Sequence, residues 1–209
     1  MSHAEFARGR DGTRIFVRRR DPERGAASAP TAILCDGIAC DGFIWRYLWH
    51  DLARILPVAH WHYRGHGRSA KPADPRAITF EEHVHDLDAV RRTIGDPDVV
   101  LFGHSMGCQV ALETMRLRPD KVRGLVLLCG ASGRITHTFK GTNTLAQVLP
   151  TVIARVEAHP AIARAVWSRV PPEVALRVAL MTGEVDAAAI DPADLLPYMK
   201  HMVDIDLPM

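Results

Sequence analysis

Asp98-Val99-Val100-Leu101-Phe102-Gly103-His104-Ser105-Met106-Gly107, running on into Cys108-Gln109-Val110-Ala111-Leu112, is the stretch whose reading decides the fold. Its first half is a short, continuous apolar run, β-branched and bounded by Asp96-Pro97. That is the pattern of a strand buried on both faces of a parallel sheet. Its second half reads as a helix rich in Ala, Leu, Gln, Glu and Met. Between them Gly-x-Ser-x-Gly leaves no room for a loop, so the chain must turn sharply from strand into helix with the Ser105 hydroxyl exposed at the bend. Gly103 and Gly107 suit such a turn, because side chains there would clash where the two backbones approach. Three fixed positions recur by chance in about one chain of this length in fifteen, so the motif acquires meaning only from its surroundings.

Working back toward the N-terminus, Phe6 to Val17 reads as two strands around Arg10-Asp11-Gly12. Thr31-Ala32-Ile33-Leu34-Cys35 is a buried strand ending at Asp36-Gly37-Ile38. Asp41-Gly42 opens an amphipathic helix with Phe43, Ile44, Tyr47, Leu48, Leu52 and Ile55 on its apolar face. Pro57 to His62 is the next strand, followed by the glycine-punctuated loop Tyr63-Arg64-Gly65-His66-Gly67-Arg68-Ser69. Thr79, with Glu82 three residues on, caps a helix running to about Ile94. Working forward, the helix after Ser105 reaches about Leu117, and Gly124 to Cys129 forms a last strand. Strands alternating with helices define an α/β class, a doubly wound, mostly parallel sheet after an antiparallel start.

From Ala131 the character changes to helical segments alone. The apolar positions Leu145, Val148, Leu149, Val152, Ile153 and Val156 follow one helical face, which Pro150 should kink or divide. Ala161 to Arg169, Pro172 to Met181 and a helix begun by Asp191-Pro192 follow. The expected division is therefore a core over residues 1–132 and a helical lid over 133–209, with apolar faces that either line a pocket or seal the lid to the body.

The 209 residues carry 26 Lys and Arg against 24 Asp and Glu, a net charge of +2. That balance gives no basic patch for nucleic acid, and Arg18-Arg19-Arg20 reads as a solvated strand end. No apolar run is long enough to span a membrane, and Met1 to Phe6 lacks the apolar core of a signal peptide. Cys35, Cys40, Cys108 and Cys129 show no paired or metal-binding spacing and read as buried free thiols of a cytoplasmic protein. His60, His62 and His66 raise a zinc possibility, but no further ligand follows, so they read as solvated strand-end and loop residues. His83 and His85, two apart on a helix, read as surface residues. Neither metal nor cofactor is expected.

Three signals in this order and at these intervals resemble the α/β-hydrolase superfamily, in particular its lid-bearing esterase, lipase and haloperoxidase-like members. They are Gly103-His104-Ser105-Met106-Gly107, the turn Asp36-Gly37-Ile38, and Arg64-Gly65-His66-Gly67-Arg68-Ser69. The resemblance covers residues 6–130 and implies that Ser105 is a nucleophile, with an oxyanion hole from the backbone N–H groups of Ile38 and Met106. The chain departs from the pattern in having Asp36 where the family usually has His, and His62 where it tends to have Asp.

In the family two further strands follow the lid and present an acid and the catalytic His. Here no such residues are identifiable before Met209, and no acid ends the Leu125 to Cys129 strand. His104 adjoins Ser105, but strand and turn aim neighbouring side chains apart. His137, His159 and His201 lie in the lid. Loss of the His in such a unit lowers turnover on the order of 10⁶-fold. The strand after Ser105's helix would also be left as a bare Leu and Val edge. The expectation is a truncated piece of a longer hydrolase, inactive by itself. Two classes of function are carried forward. One is a serine hydrolase of an ester or related acyl bond in a small apolar substrate, with neither nucleic acid nor membrane as partner; serine in place of Asp disfavours dehalogenase or epoxide-hydrolase chemistry. The other is a non-catalytic member that binds a small ligand.

Overall fold

The computed structural model describes residues 2–24, 29–131, 133, 144–167, 169–181, 188 and 190–204. They fall into two compact units, Met1–Gly133 and Arg134–Met209. The first holds a six-stranded sheet: β1 (Ser2–Arg8), β2 (Arg14–Arg20), β3 (Thr31–Cys35), β4 (Val58–Trp61), β5 (Val99–His104) and β6 (Val122–Leu128). Its order is β1-β2-β4-β3-β5-β6. β1, β2 and β4 pair antiparallel, whereas β4, β3, β5 and β6 run parallel. The helices are α1 (Arg46–Leu52), preceded by a short 3₁₀ turn over Phe43–Trp45, then α2 (Phe80–Thr93) and α3 (Met106–Leu117). This is the mixed α/β sheet expected from the alternation of strands and helices.

Period-two alternation along the strands sorts the core into two halves. Ile33, Cys35, Leu101, Ala59 and Trp61 pack on one face with Leu87 and Val90 of α2 and Val110 and Ala111 of α3. Ala32, Leu34 and Val58 pack on the other with Trp45, Trp49 and Leu52. The buried line of α1 is thus Trp45, Trp49 and Leu52, while Ile44, Tyr47 and Ile55 are exposed. Of the expected apolar face Leu48 and Leu52 do pack on the sheet, whereas Ile44, Tyr47 and Ile55 do not, and the helix ends at Leu52 rather than near Ile55. The 3₁₀ turn at its start winds the chain more tightly than an α-helix and rotates the face that meets the sheet.

Several polar residues read as solvated are buried. His60, His62 and His66 all lie inside, His60 on β4 between β2 and β3, and His62 and His66 in the loop that follows β4. Among the described residues no group of His, Cys, Asp or Glu is arranged to hold a metal. Arg18, Arg19 and Arg20 are half-buried, with the Arg18 guanidinium 4.5 Å over the Trp49 ring. Cys35, Cys40 and Cys108 are buried, but Cys129 is exposed, since a φ of +52° just past β6 takes it out of the strand's alternation. His83 is buried against Tyr63, with ring centroids 4.6 Å apart, rather than on the surface.

Thr79 does cap α2, accepting from the Glu82 N–H at 3.2 Å. The Glu82 carboxylate instead turns to Arg10 and Arg64. Arg64 is fully buried and clamps both carboxylate oxygens of Asp86 at 2.7 Å. It also donates to Asp11 at 3.2 Å and to the Ala77 carbonyl at 2.8 Å, which ties the loop after β4 to α2 and to the β1–β2 turn.

The second unit contains α4 (Thr144–Ala158), α5 (Pro160–Trp167), α6 (Pro172–Met181) and α7 (Pro192–Asp204). Pro150 lies inside α4 without dividing it, because a proline removes only one bond of the ladder. Asp191 starts α7 by accepting from the Ala193 N–H at 2.9 Å. Leu176 and Leu195 are buried, whereas Val148, Val152, Ile153, Ile162, Val166, Val174 and Val178 are exposed. No helix among the described residues is long and apolar enough to cross a membrane.

Burial, with the nearby His66 and Arg64 charges, pushes the His83 imidazole down to about 3. A depressed folded value means stability that is intact above the unfolded value near 6.5 and is lost as pH falls toward 3. Urea unfolding at pH 7 and pH 4 should show the wild type losing about 3 kcal/mol more than His83→Phe over that interval. Equal losses in the two proteins would contradict the assignment.

Candidate active site at the carboxyl edge of the sheet

β3, β5 and β6 end together at one edge, with Cys35 opposite Gly103, and Gly103 and His104 opposite Leu127 and Leu128. The ladder runs one residue further, since the Ser105 N–H donates to the Leu128 carbonyl at 3.0 Å. α3 then begins at Met106, so a single residue carries the chain from strand to helix. That residue, Ser105, has φ 52° and ψ −115° and makes no side-chain bond capping the helix.

The bend is forced by contact. A Cβ on Gly103 would lie 2.5 Å from the Gly107 carbonyl oxygen, and one on Gly107 would collide with the Cys35 carbonyl and come within 2.6 Å of the Asp36 oxygen. The first turn of α3 therefore rests directly on the ends of β3 and β5. Cys108 completes the junction, its buried Sγ donating to the Gly103 carbonyl at 3.2 Å and the Leu128 carbonyl at 3.4 Å. Burial raises its thiol above the ordinary value.

Gly37 borders Ser105 directly: a Cβ there would lie 3.3 Å from the Ser105 Cβ and 3.1 Å from His104 Nδ1. Ile38 follows in an exposed loop, 64% accessible. Met106, as the first residue of α3, carries one of the amides that have no intrahelical partner. The two backbone groups singled out in the sequence thus belong to segments that flank Ser105.

His104 turns to the α1 side of the sheet, edge-on to Trp45 with centroids 6.3 Å apart. Burial lowers its pKa, and the Asp36 charge opposes the shift. Among the described residues no imidazole or carboxylate is hydrogen-bonded to the Ser105 hydroxyl. His159 and His201 belong to the helical unit, and His137 lies outside the described residues. Sequence reasoning missed the fully buried Asp36, which joins His60 Nε2 at 2.8 Å and Trp45 Nε1 at 2.7 Å. Its only signal was the departure from His at that position.

A strand, a left-handed serine and a helix, set at the carboxyl edge of a sheet ordered 1-2-4-3-5-6, define an α/β-hydrolase type of architecture. The model of the alpha/beta hydrolase fold matches residues 30–155, and the chain belongs to that family. It is 33% identical over 153 residues to the lipase LipV of Mycobacterium tuberculosis, covering 73% of this chain and 57% of the relative. It is 30% identical over 150 residues to a haloalkane dehalogenase of Bradyrhizobium diazoefficiens, covering 70% and 44%. An esterase from Exiguobacterium antarcticum superimposes with a TM-score of 0.68 over 99% of this chain and 70% of that one, at 20% identity, a likeness of fold. The chain spans about half the length of the two curated relatives.

A non-glycine residue at φ 52° and ψ −115°, the backbone of the first central position of a type II′ turn that glycine favours, is strained by about 1–3 kcal/mol. Ser105→Gly should therefore raise the unfolding free energy by about 1 kcal/mol, after allowing for the extra entropy glycine brings to the unfolded chain. Gly107→Ala should lower it by about 3 kcal/mol or more, because backbone oxygens cannot retreat as a side chain would. Denaturant unfolding of the two variants measures both, and a stabilised Gly107→Ala would contradict the packing account.

Proposed function

We propose that the protein is a serine hydrolase in which Ser105 attacks the carbonyl of an ester or related acyl bond and passes through an acyl-enzyme. The observation that carries this reading is the left-handed backbone at Ser105, which strain alone would remove unless the position were used. Residue chemistry favours acyl transfer over alkyl transfer. Serine attacking a carbonyl yields an ester that water can cleave, whereas serine attacking a saturated carbon would leave an inert ether. In this reading the amides of Ile38 and Met106 receive the developing oxyanion. The similarity to a lipase supports the same class.

A serine hydroxyl needs a base to accept its proton, usually a histidine oriented by a carboxylate. In this reading the helical unit is the lid and the substrate a small apolar acyl compound; Val148, Val152, Ile153, Val174 and Val178 of that unit are exposed. Three buried free thiols fit a reducing, cytoplasmic setting.

Treatment of the native protein with a fluorophosphonate tests the proposal. A single adduct mapped by mass spectrometry to Ser105, and abolished in Ser105→Ala, is the expected result. Absence of any adduct, or one at another residue, would overturn it and favour a non-catalytic protein that binds a small ligand.

A further inference from the structure

Asp36, immediately before the Gly37-Ile38 segment, is the most heavily anchored residue at this edge of the sheet. Its carboxylate is fully buried and accepts from Trp45 Nε1–H at 2.7 Å through Oδ1, while Oδ2 lies 2.8 Å from His60 Nε2. Its backbone carbonyl accepts from the Tyr63 hydroxyl at 2.8 Å. Side chains from β4, the loop after it and the 3₁₀ turn thus converge on one residue. In the loop that follows, the Cys40 N–H donates to the Gly37 carbonyl at 3.3 Å and Ala39 sits at a φ of 61°.

The state of His60 follows from its surroundings. Nδ1 is buried and makes no hydrogen bond, and the Gly42 backbone presses on it so closely that a Cβ there would lie 2.9 Å away. Nε2 is therefore the ring nitrogen that meets the carboxylate, its N–H donating to Asp36 Oδ2. The groups that face the pair are Arg18, paired with His60 across β2 and β4, His62 with its ring 5.2 Å from that of His60, Asp41, and His104 of β5. Arg18 is the cation among them.

The geometry points to Asp36, His60 and Trp45 as positioning residues for the Ser105 reaction, the imidazole and indole N–H groups fixing the carboxylate so that the Gly37-Ile38 backbone keeps its place against Ser105. This rests on the serine-hydrolase reading. A self-contained core network would hold the fold equally well but would leave the reactivity of Ser105 untouched.

Two measurements on the native protein separate the possibilities. Histidine ¹⁵N NMR at pH 7 should show His60 protonated at Nε2, with the Trp45 indole proton displaced in Asp36→Asn. An imidazole protonated at Nδ1 alone would overturn the anchoring. The maximal rate of fluorophosphonate labelling at Ser105 should fall on the order of tenfold or more in His60→Leu, with little change in the probe's binding constant. His60→Gln, whose amide places a donor where Nε2 stands, should restore most of that rate. Should His60→Leu not fold, Trp45→Phe should still label several-fold more slowly than wild type. A folded variant of either kind that labels at the wild-type rate would overturn the positioning role. A wild type that does not label overturns the serine reading and the positioning role with it, while the NMR result still reports separately on the anchored carboxylate.

Discussion

The structure depends on the contact between α3 and the ends of β3 and β5. Gly103 and Gly107 remove the side chains that would hold helix and strands apart, so backbone meets backbone at the Cys35 and Asp36 carbonyls. With β5 ending at His104 and α3 starting at Met106, only residue 105 remains to make the turn. The left-handed serine is the consequence of that close fit. Its hydroxyl is released from helix capping by the same geometry. A wider junction would relax the strain and return the serine to an ordinary helix start.

Around this apolar junction the edge is held in register by buried polar bonds. Arg64, clamped on Asp86 and reaching Asp11, fixes the loop after β4. Tyr63, one residue earlier, reaches back to the Asp36 carbonyl. These groups are costly to bury without partners, and bonds of this kind specify one arrangement of the loops. The apolar core lines both faces of the sheet, and the polar network fixes the strand ends where chemistry would take place. Stability and site geometry thus rest on different interactions in the same unit.

Much of this was legible in the sequence. The run from Val99 to Gly107 announced strand, bend and helix, and the β3 boundaries and the Thr79 cap followed from local chemistry. The mostly parallel sheet with its antiparallel start followed from the alternation of strands and helices, but the strand order was not read from it. What was not legible was which polar residues turn inward. His60, His62, His66 and His83 are polar, and only the packing around β4 and the loop after it and the breadth of the buried side of α2 put them inside. The phase of α1 was hidden by its 3₁₀ start, so the tryptophans Trp45 and Trp49 took the places expected for Ile44 and Tyr47. The Asp36 network could not be read at all, because residues 24 apart meet there through the crossover between β3 and β4.

The central claim is that close packing at Gly103 and Gly107 forces residue 105 into a left-handed bend with a free hydroxyl. An atomic-resolution electron-density map of residues 103–107 tests it most directly. The account predicts a positive φ at Ser105, with Oγ clear of the helix amides and the Gly107 Cα seated on the Cys35 carbonyl. A negative φ, with the hydroxyl capping α3 or the helix continuing back through residue 105, would contradict it.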